Sequence, residues 1–280
     1  MKRLLAILLA AILIAPAALA QTAEPAEAEG LVVLLQTTLG EVRIRLFNDT
    51  PLHRDRFLSN VRQGLYDGVL FHRVIRNFMI QGGNPNTRPG FEAQWAAEEA
   101  DTTLGDTISA EIRYPKYFHR QGMVAAARMG DDVNPTKASS ATEFYIVTGR
   151  FQSEQQMLDY DQRRQEQRVA QIFEQKRQAN AQRLEQMQRD RDRLGLNRLL
   201  EKLMEEAQEE ADASAQPYYG QEQLRAYRSV GGAPWLDGDY TIFGEVIDGM
   251  KVVRAIEKVK TNDQDRPLDD IRIVRATVVE

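Results

Sequence analysis

Two periodicities divide this chain. Short alternating runs of apolar and polar residues, the mark of strands with one buried face, occupy residues 31–150 and return after 231; between them the apolar positions thin out and recur at helical spacing. The clearest alternation is at residues 41–47, where Val42, Ile44 and Leu46 face inward and Glu41, Arg43 and Arg45 outward. With the apolar run 31–35 and a turn at Gly40, it predicts a hairpin. Asn48-Asp49-Thr50-Pro51 reads as a helix start, with Thr50 as cap and Pro51 in the first turn. Leu52, Phe57, Leu58 and Val61 supply that helix with an apolar stripe, and Gly64 ends it. Further strands are predicted at 108–112, 122–128, 142–147, 240–246 and 269–279. A second amphipathic helix is predicted over 248–259 from Met250, Val253, Ile256 and Val259. Residues 84–105 and 131–140 read as loops. Short strands throughout, two helices and no β-α-β repeat indicate an antiparallel barrel or sandwich.

The stretch 71–83, Phe-His-Arg-Val-Ile-Arg-Asn-Phe-Met-Ile-Gln-Gly-Gly, carries charge inside an apolar run. On strand parity Arg73 shares a face with Phe71 and Ile75. A guanidinium on an apolar face needs a partner. Either its stem packs on the barrel while its head reaches a carboxylate or water, or the charge has a function.

From Gln152 to Glu210 the pattern changes. There is no proline, one glycine (Gly195), and dense Gln, Glu, Arg and Lys, with apolar residues thickening at Leu194, Leu196, Leu199, Leu200, Leu203 and Met204. This predicts a long solvated helix, a break at Gly195 and a second helix with a better stripe, arranged as an antiparallel hairpin. Residues 213–227 read as a polar connection, and 231–238 as a turn-rich loop around Trp235. The expected organisation is therefore a barrel over 31–150 and 231–280, interrupted by a helical insertion over 151–230.

The amino terminus changes the address. Lys2 and Arg3 precede an apolar run at 4–14, and Ala18-Leu19-Ala20 is a small-x-small cleavage site, so residues 1–20 read as a secretory signal peptide and 21–30 as a flexible leader. The run is too short for a ~30 Å hydrocarbon core. No later segment is long and apolar enough to span, so no stable membrane insertion is expected after cleavage. The chain has no cysteine, which rules out a lipid-anchored cysteine and a disulfide framework. The expected location is the periplasm of a Gram-negative cell, or the outside of another bacterium.

At 280 residues, 42% hydrophobic and 28% charged, the composition is that of an ordinary soluble globular protein. Losing Lys2 and Arg3 takes the formal charge from −5 to −7, which argues against a nucleic-acid partner. The histidines, His53, His72 and His119, have no ligand spacing, so no metal is assigned, and no cofactor is expected. Gly82-Gly83 is not a phosphate loop, since no helix start with a lysine follows.

Three separated motifs resemble the cyclophilin family of peptidyl-prolyl cis/trans isomerases. Phe71-His72-Arg73 with Phe78-Met79-Ile80-Gln81-Gly82-Gly83 is similar to the family's Phe-His-Arg … Phe-Met-x-Gln-Gly-Gly signature. Residues 122–128 and 142–146 resemble its Met-Ala-x and Ser-Gln-Phe-Phe-Ile strands. Trp235-Leu236-Asp237-Gly238 with Phe243-Gly244 resembles its Trp-Leu-Asp-Gly … Phe-Gly segment. The resemblance covers 31–149 and 231 onward and omits the helical insertion. It implies an eight-stranded antiparallel barrel closed by two helices, here with an inserted α-helical hairpin.

The resemblance also implies roles. Arg73 matches the catalytic arginine, and Gln81 the glutamine that binds the substrate carbonyl. Phe78, Met79, Tyr145 and Leu236 match the apolar pocket for the proline ring. Ala127 and Arg128 match the pair that pins the substrate backbone, and Trp235 the indole at the rim. Departures fall at Glu143, where the family usually has glutamine, at Tyr145 in place of phenylalanine, at Tyr240 in place of a histidine, and at Arg128 in place of an asparagine. Glu143 is expected close enough to Arg73 to pair with it, and the Tyr145 hydroxyl needs a partner. The implied function is isomerisation of X-Pro bonds in exported, unfolded polypeptides, assisting their folding. The alternative is a proline-segment binding module or chaperone in which the insertion grips clients and catalysis is incidental.

Overall fold

The structure, a computed structural model, describes residues 30–90, 107–213 and 217–279. The segments read as a signal peptide and a leader, up to residue 29, and most of the loop expected at 84–105 lie outside the described residues. The sheet is built from β1 (Val32–Thr37), β2 (Gly40–Leu46), β3 (Arg73–Ile75), β4 (Met79–Gly82), β6 (Met123–Ala126), β8 (Phe144–Val147), β9 (Ile242–Asp248) and β10 (Ile273–Val279). Their order is β10-β1-β2-β9-β6-β8-β4-β3, antiparallel throughout. The two edges are drawn together where the amide of Phe71 donates to the Ile271 carbonyl and that of Ile273 to the Val69 carbonyl. A side ribbon pairs β5 (Thr107–Ile108) with β7 (Ser139–Ser140), so the strand expected at 108–112 is two residues long and begins earlier.

Alternation fills the interior. Val33, Leu35, Val42, Ile44, Leu46, Ile80, Val124 and Ile146 are fully buried inside the barrel. Helix α1 (Pro51–Arg62) covers one opening with Phe57, Leu58 and Val61, and α6 (Met250–Glu257) the other with Val252, Val253 and Ile256. Thr50 makes no side-chain cap on α1. Glu111 takes that place: its carboxylate accepts from the amides of Leu52 and His53 at 3.1 and 3.0 Å, as an anion at a helix N-terminus should.

The stretch 71–83 is a hairpin rather than one strand. Asn77, at φ 60°, turns the chain between β3 and β4. Phe71 precedes β3 and packs in the core with Val74, so it does not share Arg73's face. Gly83 sits at φ 97°, where a Cβ would collide with the Thr142 carbonyl and Glu143; glycine lets β8 begin against β4 there.

Between β8 and β9 the chain leaves the barrel. Helix α2 (Glu154–Ala179) opens with a capping box between Ser153 and Gln156. Helix α3 (Ala181–Arg189) follows at once, then α4 (Arg193–Ala213) returns along α2. The break expected at Gly195 falls instead at 190–192, where Arg191 has φ 60°. Gly195 lies in the first turn of α4, its amide bonded to Asp192 Oδ1 at 2.8 Å. The expected polar connection also holds a helix, α5 (Gln221–Ser229), and its buried tyrosines Tyr219 and Tyr227 pack with Phe118 and Met157. Among the described residues no helix is long and apolar enough to cross a membrane.

Candidate active site

One sheet register assembles the site. Arg73 stands opposite Gln81, Gln81 opposite Tyr145, and Tyr145 opposite Ala125. Directly opposed residues present their side chains on the same face, so these form a row on the outside of the barrel. The next row is Ile75, Met79 and Val147. This outer face is apolar as well as the inner one: Met79, Met123, Ala125, Tyr145, Val147 and Ile242 form a second buried cluster with Leu236. The loop before β9, with a 3₁₀ turn at Pro234–Leu236, lays Leu236 against it.

Row and loop enclose an open cavity of about 220 Å³, lined by Arg73, Phe78, Met79, Gln81, Ala127, Arg128, Tyr145, Leu236 and Tyr240. Of the residues singled out from the sequence, only Glu143 and Trp235 lie off its wall. Trp235 packs its indole on the Phe78 ring, centroids 5.4 Å apart, and its other neighbour is Tyr160 of α2 at 6.0 Å. It braces the pocket from behind.

Arg73 is exposed and not held by Glu143. Among the described residues its nearest carboxylate is Asp265, with Nε–Oδ2 at 3.7 Å and both side chains more than 40% exposed. Such a pair is weak, which leaves the guanidinium free to reorient over the cavity. Glu143 turns away. Its Oε2 accepts from Gln81 Nε2 at 2.8 Å and lies 3.6 Å from His72 Nε2. Burial pushes the Glu143 carboxyl up, but the bond and charge of His72, with donors from Gln81 and Asn84, outweigh it and hold the pKa below the ordinary carboxylate value.

Arg128 lies over the Tyr240 ring, 4.5 Å from its centroid. Its Nε donates to the Asp239 carbonyl at 2.7 Å and its Nη1 to the Met129 carbonyl at 2.8 Å, with Asp131 Oδ1 at 2.7 Å. Its side chain is only 4% exposed, so Arg128 contributes a fixed edge rather than a mobile donor.

The Tyr145 hydroxyl has its partner. It bonds His119 Nε2 at 2.9 Å, and His119 Nδ1 bonds Asp237 Oδ1 at 2.8 Å. Since the Asp237 carboxylate takes the Nδ1 hydrogen, Nε2 is assigned as the acceptor and tyrosine as the donor. The Tyr227 hydroxyl closes the chain, donating to Asp237 Oδ2 at 2.5 Å. All four residues are buried. Burial pushes the Tyr145 and Tyr227 hydroxyls well above the ordinary tyrosine value, so both remain donors. The hydroxyl on Tyr145 is thus turned into the protein, and its ring gives the cavity an apolar wall.

His119 and Asp237 were noted in the sequence without a role in the site, and Tyr227, Arg164 and Tyr160 were not singled out. A cluster of tyrosines in a polar connection was the available signal for Tyr227, since an aromatic there calls for burial. Arg164 had none, being one arginine among many on α2. Among the described residues there is no group of three or more His, Cys, Asp or Glu side chains that could hold a metal ion.

Comparison with known proteins gives a consistent picture. The family model for cyclophilin type peptidyl-prolyl cis-trans isomerases matches residues 32–169 and 226–278, more than half of the chain. A putative peptidyl-prolyl cis-trans isomerase of Staphylococcus aureus is 28% identical over 250 residues, covering 89% of this chain and 91% of that protein. The Arabidopsis thaliana peptidyl-prolyl cis-trans isomerase CYP71 is 26% identical over 248 residues, covering 88% of this chain and 24% of that protein. Among solved structures, a cyclophilin type peptidyl-prolyl cis-trans isomerase of Cryptosporidium parvum has the same fold, with a TM-score of 0.50, 18% identity, and coverage of 89% of this chain and 98% of that one. The same protein was also crystallised in the presence of the dipeptide Ala-Pro.

Proposed function

This chain belongs to the cyclophilin-type peptidyl-prolyl cis-trans isomerase family and is such an isomerase; we propose that the cavity between Arg73 and Leu236 is where it turns X-Pro bonds, and that its substrates are exported polypeptides. The observation that carries the site is the register: Arg73 and Gln81 stand side by side at the lip of an apolar cavity floored by Met79 and walled by Phe78, Tyr145 and Leu236.

The chemistry asks for little else. Rotation about a peptide bond is slow because amide conjugation must be broken, at a barrier of roughly 18–20 kcal/mol. In the twisted state the prolyl nitrogen is pyramidal and more basic. A donor placed to bond that nitrogen interacts with the transition state more strongly than with the planar ground state, and this difference is the catalysis. Arg73 is that donor. The pyrrolidine ring sits in the apolar cavity, Gln81 holds the carbonyl on one side of the bond, and Ala127 lets the substrate backbone approach. Glu143 acts on the substrate only through Gln81, and Trp235 through Phe78. A relative crystallised with Ala-Pro supports a prolyl segment as the ligand.

Export rests on residues 1–20, whose basic start, apolar run and Ala-Leu-Ala site form a signal peptide. The mature protein, beginning near Gln21, then works in the periplasm on chains that fold after translocation, with the barrel over 31–150 and 231–280 and the insertion over 151–230. A protease-coupled assay on a prolyl peptide tests the site. Wild type should exceed Arg73→Ala by about a hundredfold in kcat/KM, and equal turnover would sink it. Cell fractionation tests the address.

A further inference from the structure

We infer that the helical insertion is part of the isomerase site, with Arg164 of α2 acting as a positioning residue for the loop that carries Trp235 and Leu236. This rests on the assignment of the Arg73–Leu236 cavity as the prolyl site.

The loop before β9 contributes Leu236 and Tyr240 to the cavity, yet much of what fixes it comes from the insertion. Arg164 Nη1 donates to Asp239 Oδ2 at 2.7 Å, and its Nη2 donates to the carbonyls of Trp235 at 3.0 Å and Asp237 at 2.5 Å. A guanidinium suits this task because its fork of donors is rigid and reaches several acceptors together. Its face lies over the Tyr218 ring at 5.0 Å, and its side chain is 15% exposed. Tyr218 and Tyr219 add hydroxyl bonds to the carbonyls of Asp237 and Pro234, both at 2.7 Å. Tyr160 sits one helical turn before Arg164 on the same face of α2 and packs on Trp235.

The loop's carbonyls at 234, 235 and 237 are thus satisfied by side chains of the insertion. Loss of Arg164 leaves the Trp235 carbonyl without its donor, the Asp237 carbonyl held by Tyr218 alone and the Asp239 carboxylate by Lys137 alone, which loosens the loop against the barrel. Leu236 moves with it and the cavity widens. The substrate then binds less tightly, while Arg73 on the opposite strand stays where it was.

The test is steady-state kinetics of the full mature chain on a prolyl peptide, with far-UV circular dichroism to establish folding. Arg164→Ala should raise KM about tenfold with a smaller change in kcat, the equivalent of roughly one charge-assisted hydrogen bond. Arg164→Lys should recover part of the loss, because an amine reaches Asp239 but not both carbonyls as well. A purely structural role predicts fewer active molecules, hence lower kcat at unchanged KM; that result, or wild-type values for folded Arg164→Ala, overturns the inference. Should Arg164→Ala fail to fold, Asp239→Asn weakens the same contact, and an unchanged KM there overturns it equally. Arg73→Ala, run in parallel, separates the two ideas. If it matches wild type, the assignment of the prolyl site has failed; if it is inactive while Arg164→Ala is normal, only the positioning role has.

Discussion

Gln81 donates its side-chain amide to Glu143 Oε2 at 2.8 Å, and that bond decides which way Gln81 faces the cavity. One amide hydrogen is spent on Glu143. The other, and the amide oxygen, remain for the cavity. Removing the acceptor in Glu143→Ala lets the amide rotate, and kcat/KM should fall about fivefold, in line with one hydrogen bond of about 1 kcal/mol. Glu143→Gln keeps an acceptor and should stay within about twofold of wild type. Equal losses in the two variants would instead assign the effect to the charge. Because the Glu143 pKa is lowered in the fold from 4.5, the contact is intact above that value and is lost only as pH falls through the lower folded value. Turnover should therefore show no acid limb from this pair above about pH 5.

Arg73 should not be replaceable by lysine. Among the described residues its one ion-pair partner is Asp265, at 3.7 Å, and the proposed task is directional donation to a nitrogen that becomes basic in the transition state. Arg73→Lys keeps the charge and loses the fork, and should retain less than about a tenth of kcat/KM. Asp265→Asn should change kcat/KM by less than about twofold, since an exposed pair of this length contributes little. Both are measured in the same protease-coupled assay.

Much of this site is legible in the order of residues because the sheet is antiparallel. Once residues 71–83 are read as carrying Arg73 and Gln81 and residues 142–147 as a strand, period two fixes which side chains share a face. Parity misled only at Phe71, which lies before β3 and follows the core rather than the strand. What could not be read was side-chain direction. Glu143 and Arg73 are near neighbours by motif, yet Glu143 turns to Gln81 and His72, and nothing in the order of residues states that choice. The helical stretch was harder again. Its spacing gave the helices, but Arg164 and Arg163 look alike in sequence, and only the fold distinguishes the one that reaches the loop. Gly195 was misleading for a different reason: glycine breaks helices by propensity, but here it opens one, bonded to Asp192.

Loss of a hydroxyl should leave activity nearly unchanged at Tyr145 but lower it at Tyr227, though both sit on one buried chain of hydrogen bonds. Tyr145→Phe leaves the cavity wall apolar, since its hydroxyl points at His119; kcat/KM should stay within about twofold. Tyr227→Phe leaves Asp237 Oδ2 without its 2.5 Å donor, at a cost of about 1.5–3 kcal/mol for a hydrogen bond to a carboxylate. Urea unfolding gives that cost as a lower midpoint at constant slope. Because Asp237 belongs to the loop that carries Leu236, KM should rise in the same variant.

His53 should make stability fall on mild acidification. Burial lowers its pKa from 6.5, against the upward pull of Glu111, and its Nε2 finds no hydrogen-bond partner among the described residues. Below pH 6.5 the unfolded chain takes up a proton at this position that the folded chain does not, until pH reaches the lower folded value. Stability is therefore unaffected above about pH 6.5 and decreases as pH falls through the window beneath it. Urea midpoints at about pH 8 and 5.5 should differ more in wild type than in His53→Gln, which cannot titrate. An identical pH response in both would exclude His53 as the source.

The tip of the inserted hairpin should be separable from its base. Leu184, Leu199 and Leu203 form a small core with Phe173, Met187, Leu196 and Leu200, distinct from the base cluster of Phe118, Met157, Tyr219 and Tyr227. Tyr219 and Tyr227 of the base bond the loop that shapes the cavity, whereas the tip reaches it through the paired lengths of α2 and α4. Leu203→Ala opens a cavity in the tip core, a change that costs about 2–5 kcal/mol where the surroundings cannot collapse. The expected result is faster proteolytic cutting of the hairpin with kcat/KM unchanged. Met157→Ala makes the same kind of hole at the base, where Met157 packs with Tyr219 and Tyr227. There, proteolytic sensitivity and KM should rise together. If Leu203→Ala also raises KM, the hairpin moves as one rigid body and its tip is coupled to the cavity.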